Sequence, residues 1–167
     1  AELLKRGWAV MSVDLRGHGE SVTRNRLPLK ASPAWRINSR EFPLDVDPAL
    51  DFLKAQTRVD TQKIAVIGFD VGANLALVAS GKFPEVRTVV AIKPTLTESL
   101  ALAGSAQDFQ PRSALIIVPN ETEGNRIKET VREPVRIMTA TISGGTAAWI
   151  ADKQIQEAIF AWLKETF

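Results

Sequence analysis

Cysteine is absent from the 167-residue chain, which excludes disulfides and thiolate metal sites and leaves the redox compartment unread. Histidine is nearly absent: His18 is the only one, so any chemistry that needs an imidazole must use it. No apolar run approaches the ~20 residues that span a bilayer, and no signal-peptide pattern follows Ala1. Charge of one sign is lacking too. The formal net charge is +2, and the Lys and Arg residues are interspersed with acids. No nucleic-acid patch is therefore expected, despite a sequence pI near 9.1. No metal, cofactor, nucleic acid or membrane is expected as a partner.

What is present is ordinary for a globular chain: 45% hydrophobic and 24% charged residues, enough for one domain (1–167) with a substantial core. Residues 1–6 read as the end of a helix stopped by Gly7. The chain is thus expected to begin inside a larger unit, as a processed product, a remnant or an excised piece.

Short apolar runs then alternate with helical periodicity. Strands are expected at residues 8–13, 63–67, 87–92, 113–118 and 135–139, the last introduced by Pro134. Helices are expected at 43–56, 72–80, 96–102, 121–132 and 151–165. Continuous apolar strands separated by helices predict an α/β fold of three layers, with a mostly parallel sheet of about five strands. The long connection at 15–42, with Arg16, Arg24, Arg26, Arg36, Arg40 and Trp35, has the length of a functional or flexible loop. Solvated charge accounts for its arginines.

The most informative motif is Gly68-Phe69-Asp70-Val71-Gly72, between an apolar run and a helical one. It has the frame of a nucleophile elbow, Gly-x-nucleophile-x-Gly, with Asp70 where serine is usual. Both glycines are expected to relieve clashes between strand and helix, and Asp tolerates a left-handed apex better than most residues. A second motif, Asp14-Leu15-Arg16-Gly17-His18-Gly19-Glu20-Ser21, follows the first expected strand.

With these two motifs in this order the chain resembles the α/β-hydrolase superfamily, and more narrowly bacterial dienelactone-hydrolase-like esterases. The likeness runs through residues 45–72 and on into Ala73-Asn74-Leu75-Ala76, and it covers nearly the whole chain. It implies a truncated or reduced α/β-hydrolase fold. The strand and oxyanion loop that members carry earlier would lie upstream of Ala1, or be dispensed with in a reduced sheet.

The resemblance also implies roles. Asp14, Arg16 and His18 fall in a structural loop, where Asp14 and Arg16 are expected to pair locally or satisfy loop backbone groups. The family's histidine usually stands as His-Gly-Thr before the last helix. Here Gly145-Thr146 match, which puts Gly144 in its place. The acid position falls at Glu121 or Glu123, residues equally suited to a helix's first turn. The Val71 N–H would be one oxyanion donor. Asp70 itself reads two ways. It is a helix N-cap on a relic turn, or a nucleophile of the kind used by haloalkane dehalogenases and epoxide hydrolases.

Three functional expectations follow. The first is a family member impaired as a serine esterase, retaining at most a small apolar or ester-like ligand. The second is a hydrolase of ester, lactone or halide substrates with Asp70 as nucleophile. The third is a non-catalytic binding or assembly module, whose free sheet edge would favour a homodimer.

Overall fold

A computed structural model describes residues 2–24, 27–28, 41–131 and 135–167. Arg26, Trp35, Arg36, Arg40 and Pro134 lie outside the described residues. The chain divides into two compact units, Ala1–Thr61 and Gln62–Phe167.

Among its described residues the first unit holds little regular structure. Helix α1 (Glu2–Lys5) ends where expected, with Gly7 at φ 83°. A two-residue antiparallel pair, β1 (Thr23–Arg24) and β2 (Leu27–Pro28), follows. Helix α2 (Pro43–Lys54) starts with Pro at its first position, where the missing N–H costs nothing. The strand expected at residues 8–13 does not form. Val10 and Val13 are about half exposed there. An apolar run has strand propensity, but a strand exists only through a partner's backbone.

The second unit is a parallel sheet in the order β3-β4-β5-β6, formed by Ile64–Phe69, Val86–Ile92, Ala114–Val118 and Val135–Thr139. Four of the five expected strands are therefore present, each in its expected place. Residues alternate across the sheet as a pleat requires. Val90, Ile92, Leu115 and Ile117 face helices α6 (Thr146–Ala151) and α7 (Lys153–Thr166), packing on Trp149, Ile155 and Trp162. On the other side lie α3 (Val71–Lys82) and α5 (Glu121–Lys128), with α4 (Leu96–Ala103) packed beside α3. Helix α3 is apolar almost all round, and Ala73 through Ser80 are buried, as its position over β3 and β4 demands.

The last helix differs from expectation in one respect. It starts at Lys153 rather than 151, set by Asp152, whose carboxylate accepts the Ile155 N–H at 3.0 Å, and the separate short helix α6 precedes it. One buried polar bond ties the layers together: Trp162 Nε1–H donates to Thr88 Oγ1 at 2.7 Å.

Candidate functional site

Parallel α/β sheets carry ligands at the C-terminal ends of their strands, where loops converge. In the second unit that edge begins with the turn between β3 and α3. Asp70 sits at its apex with φ 53° and ψ −116°, one of only two non-glycine residues with positive φ among the described residues. Such a conformation stores on the order of 1–3 kcal/mol and must be held by its surroundings. Here the Asp70 N–H donates to the Ile92 carbonyl at 2.9 Å, and its own carbonyl accepts from Ala73 and Asn74.

Gly68 explains how the turn can be so tight. A Cβ there would lie 1.9 Å from the Gly72 carbonyl oxygen. Gly72 corrects the expectation that both glycines relieve a clash, because a Cβ on it would meet nothing within 4 Å. The clash is one-sided: the strand residue runs under the helix, whereas position 72 points away from it.

Asp70 also corrects its capping role. It holds the N-cap position by backbone only, and its side chain makes no capping hydrogen bond. It is left exposed at the turn. Val71, the first residue of α3, is half-buried, and its N–H belongs to the orphan donors of a helix start.

The acid candidates are placed in α5. Glu121 is exposed in the first turn. Glu123 is held from three directions. Its own N–H is capped by Asn120, one carboxylate oxygen accepts the Leu96 N–H at 2.7 Å, and the other pairs with Arg126 at 2.9 Å. Leu96 opens α4, so Glu123 caps a neighbouring helix. Gly144, between β6 and α6, has φ 122°, and a Cβ there would stand 3.0 Å from Ala148 Cβ. The loop is built around a glycine, and a side chain at 144 would be strained.

The loop motif belongs to the first unit. Arg16 does not pair with Asp14. Its guanidinium holds Asp45 of α2 through Nε at 2.9 Å and Nη2 at 2.8 Å, and it also pairs with Glu41. The hydrogen bond to Asp45 is the first cause of its raised pKa. The partner lies 29 residues along the chain, beyond the reach of a local reading. Asp14 satisfies loop backbone as expected, accepting the Glu20 N–H at 2.9 Å. His18 Nδ1 lies 3.2 Å from the Arg16 carbonyl, and the ring meets Phe42 edge-on at 6.1 Å between centroids.

One group escaped the sequence reading. Lys93, the residue after β4, is the second non-glycine residue with positive φ, at 58°. Its ammonium stands 5.5 Å from the Phe69 ring centroid and 5.6 Å from that of Trp149. The available signal was a charged residue between an apolar strand and Pro94, at the strand end where ligands bind. No group of three or more potential metal ligands occurs among the described residues.

Residues 1–126 match the family described as the alpha/beta hydrolase fold. Among solved structures, the chain is similar to an acetyl xylan esterase from Paenibacillus sp. R4, at TM-score 0.69 and 19% identity, over 99% of this chain and 69% of that one. It is also similar to an esterase of Pyrococcus furiosus, at TM-score 0.71 and 16% identity, over 98% of this chain and 72% of that one. At these identities the likeness is one of fold. A thiohydrolase, apmlB, of Arthrinium phaeospermum is 39% identical over 62 residues, which are 37% of this chain and 20% of that protein. The chain thus spans one fifth of the length of that curated relative.

Proposed function

The chain belongs to the α/β-hydrolase family, and from that premise we propose that it is a member impaired as a serine esterase, keeping a small-molecule site at the C-terminal ends of β3 and β4. The observation that carries this reading is Asp70 at the apex of the Gly68–Gly72 turn, exposed and uncapped. A carboxylate there is a nucleophile elbow without its hydroxyl. It also lies where an acyl oxyanion would develop beside the Val71 N–H, and it repels that charge. The single histidine, His18, belongs to the first unit's loop, and Gly144 holds the place of the family's base. Glu123, in the region of the acid position, serves α4 instead.

A second reading is favoured by the same exposed carboxylate. Asp70 could attack a carbon bearing a halide or an ester oxygen, forming an ester with its own carboxylate and expelling the leaving group. Release by water then needs a general base, a contribution of ~10²–10⁴-fold. Without one the adduct persists.

The test is turnover and intact mass with p-nitrophenyl esters, thioesters, lactones and haloalkanoates, beside Asp70→Asn. Neither turnover nor adduct is the expected result. Turnover lost in Asp70→Asn would overturn the proposal in favour of an aspartate hydrolase. A stable adduct at Asp70 without turnover would make it a nucleophile stranded without a base.

A further inference from the structure

Lys93 is a cation whose surroundings are built and whose charge is unanswered. Its backbone is pinned in the left-handed region by the bond from its N–H to the Ile117 carbonyl at 2.7 Å. Its side chain is directed by two rings from different elements. Phe69 is the last residue of β3 and Trp149 lies in α6, and the rings meet edge to face at 67° with centroids 6.5 Å apart. Trp149 is buried, so its ring is held rigidly, and the half-buried Phe69 is the ring that solvent reaches. Aromatic faces attract the ammonium charge but leave its three N–H donors short of acceptors. Lys93 forms no ion pair among the described residues. A half-buried ammonium in that state gains most from an oxygen anion that brings acceptors and charge together.

The neighbouring charge narrows the class. Asp70 follows Phe69, and its N–H bonds the carbonyl of Ile92, the residue before Lys93. One cation beside one carboxylate tolerates a monoanion far better than a dianion, which favours a carboxylate over a phosphate ester. We infer that Lys93 and Phe69, with the buried Trp149 ring holding them in place, form a notch for a small carboxylate whose apolar body lies against the Phe69 ring. The ligand of the site at the ends of β3 and β4 is then an anion, an inference that rests on that site being where ligand binds.

The test is a titration of the 167-residue chain with phenylacetate and, separately, with neutral phenylacetamide, read at the Trp149 indole N–H by NMR. Phenylacetate is expected to shift that signal saturably, and phenylacetamide to leave it in place. Lys93→Gln, checked for folding by circular dichroism, should weaken binding about tenfold or more, and Lys93→Arg should retain it. Asp70→Asn should tighten binding about two- to fourfold by removing a nearby repulsion. Equal response to phenylacetamide, undiminished binding by Lys93→Gln, or no response to phenylacetate would each overturn the notch. Binding is read here without turnover, so the two proposals fail separately. Ester turnover would sink the impaired reading and leave the notch standing, whereas an inert Trp149 signal would do the reverse.

Discussion

Replacing Gly68 and Gly72 one at a time by alanine gives opposite results, although the two stand symmetrically about Asp70 in the sequence. At Gly68 the new Cβ would lie 1.9 Å from the Gly72 carbonyl oxygen, 2.2 Å from its carbon and 2.6 Å from the Ala73 nitrogen. Real Cβ contacts essentially never fall under 3.0 Å, so the β3–α3 backbones must separate by about 1.1 Å. All three obstacles are backbone, and no side chain can swing aside. Helix α3 is buried against β3 and β4, so the shift propagates into the core. Overpacking costs about 1–3 kcal/mol where side chains can adjust, and a backbone obstacle puts Gly68→Ala at about 3 kcal/mol or more. At about 2–4 °C per kcal/mol for a chain of this size, the melting temperature should fall by about 6–12 °C. At Gly72 an added Cβ meets nothing within 4 Å. There alanine removes the entropy that glycine loses in a helix and should stabilise by up to about 1 kcal/mol. Thermal melts followed by circular dichroism check both. Equal melting temperatures for Gly68→Ala and Gly72→Ala would refute the one-sided packing.

Three further outcomes are expected. Thr88→Val leaves the buried Trp162 N–H, now bonded at 2.7 Å, without an acceptor; chemical denaturation should show a loss of about 1–3 kcal/mol, and an unchanged midpoint would mean that the bond contributes nothing. Gly144→His places a side chain at φ 122° against Ala148, so it should cost about 1–3 kcal/mol in the same assay, and with Asp70→Ser it should not yield ester turnover; a stable, active double variant would show that only side chains separate this chain from an esterase. Arg136 holds the Glu165 carboxyl below the ordinary Glu range, chiefly through their hydrogen bond. A depressed folded pKa gives stability present above the unfolded value and lost as pH falls through the folded one, so Arg136→Met should return the Glu165 titration, read by NMR, to the ordinary range; an unmoved titration would refute the pairing.

The second unit was legible in the sequence because its signals are local and redundant. The runs ending at Phe69, Ile92, Val118 and Thr139 are each bounded by turn residues, and each became a strand of the parallel sheet. The run at residues 8–13 has the same composition and did not become one. A strand depends on a partner that composition does not name. The short helix α6 was not expected, because six residues are too few for a helical period to show, and α7 starts at its own Asp152 cap.

The site divides along the same line. By itself, the sequence determined that an aspartate stands at the centre of the Gly68–Gly72 turn, that one histidine serves the whole chain, and that Gly-Gly-Thr stands before the last helices. These are identities, and identity decides which groups are present to ionise or attack. Tertiary structure alone decided where those groups point. It left the Asp70 carboxylate without the capping bond expected of it. It gave Glu123 to the start of α4 and Arg16 to Asp45. It also brought Phe69, Lys93 and Trp149, from three separate elements, around one ammonium. The reason is one of distance along the chain. Backbone turns and periodicity are set by near neighbours, whereas each of these contacts spans 24 residues or more, and those of Glu123 and Lys93 exist only once the sheet has aligned its strands.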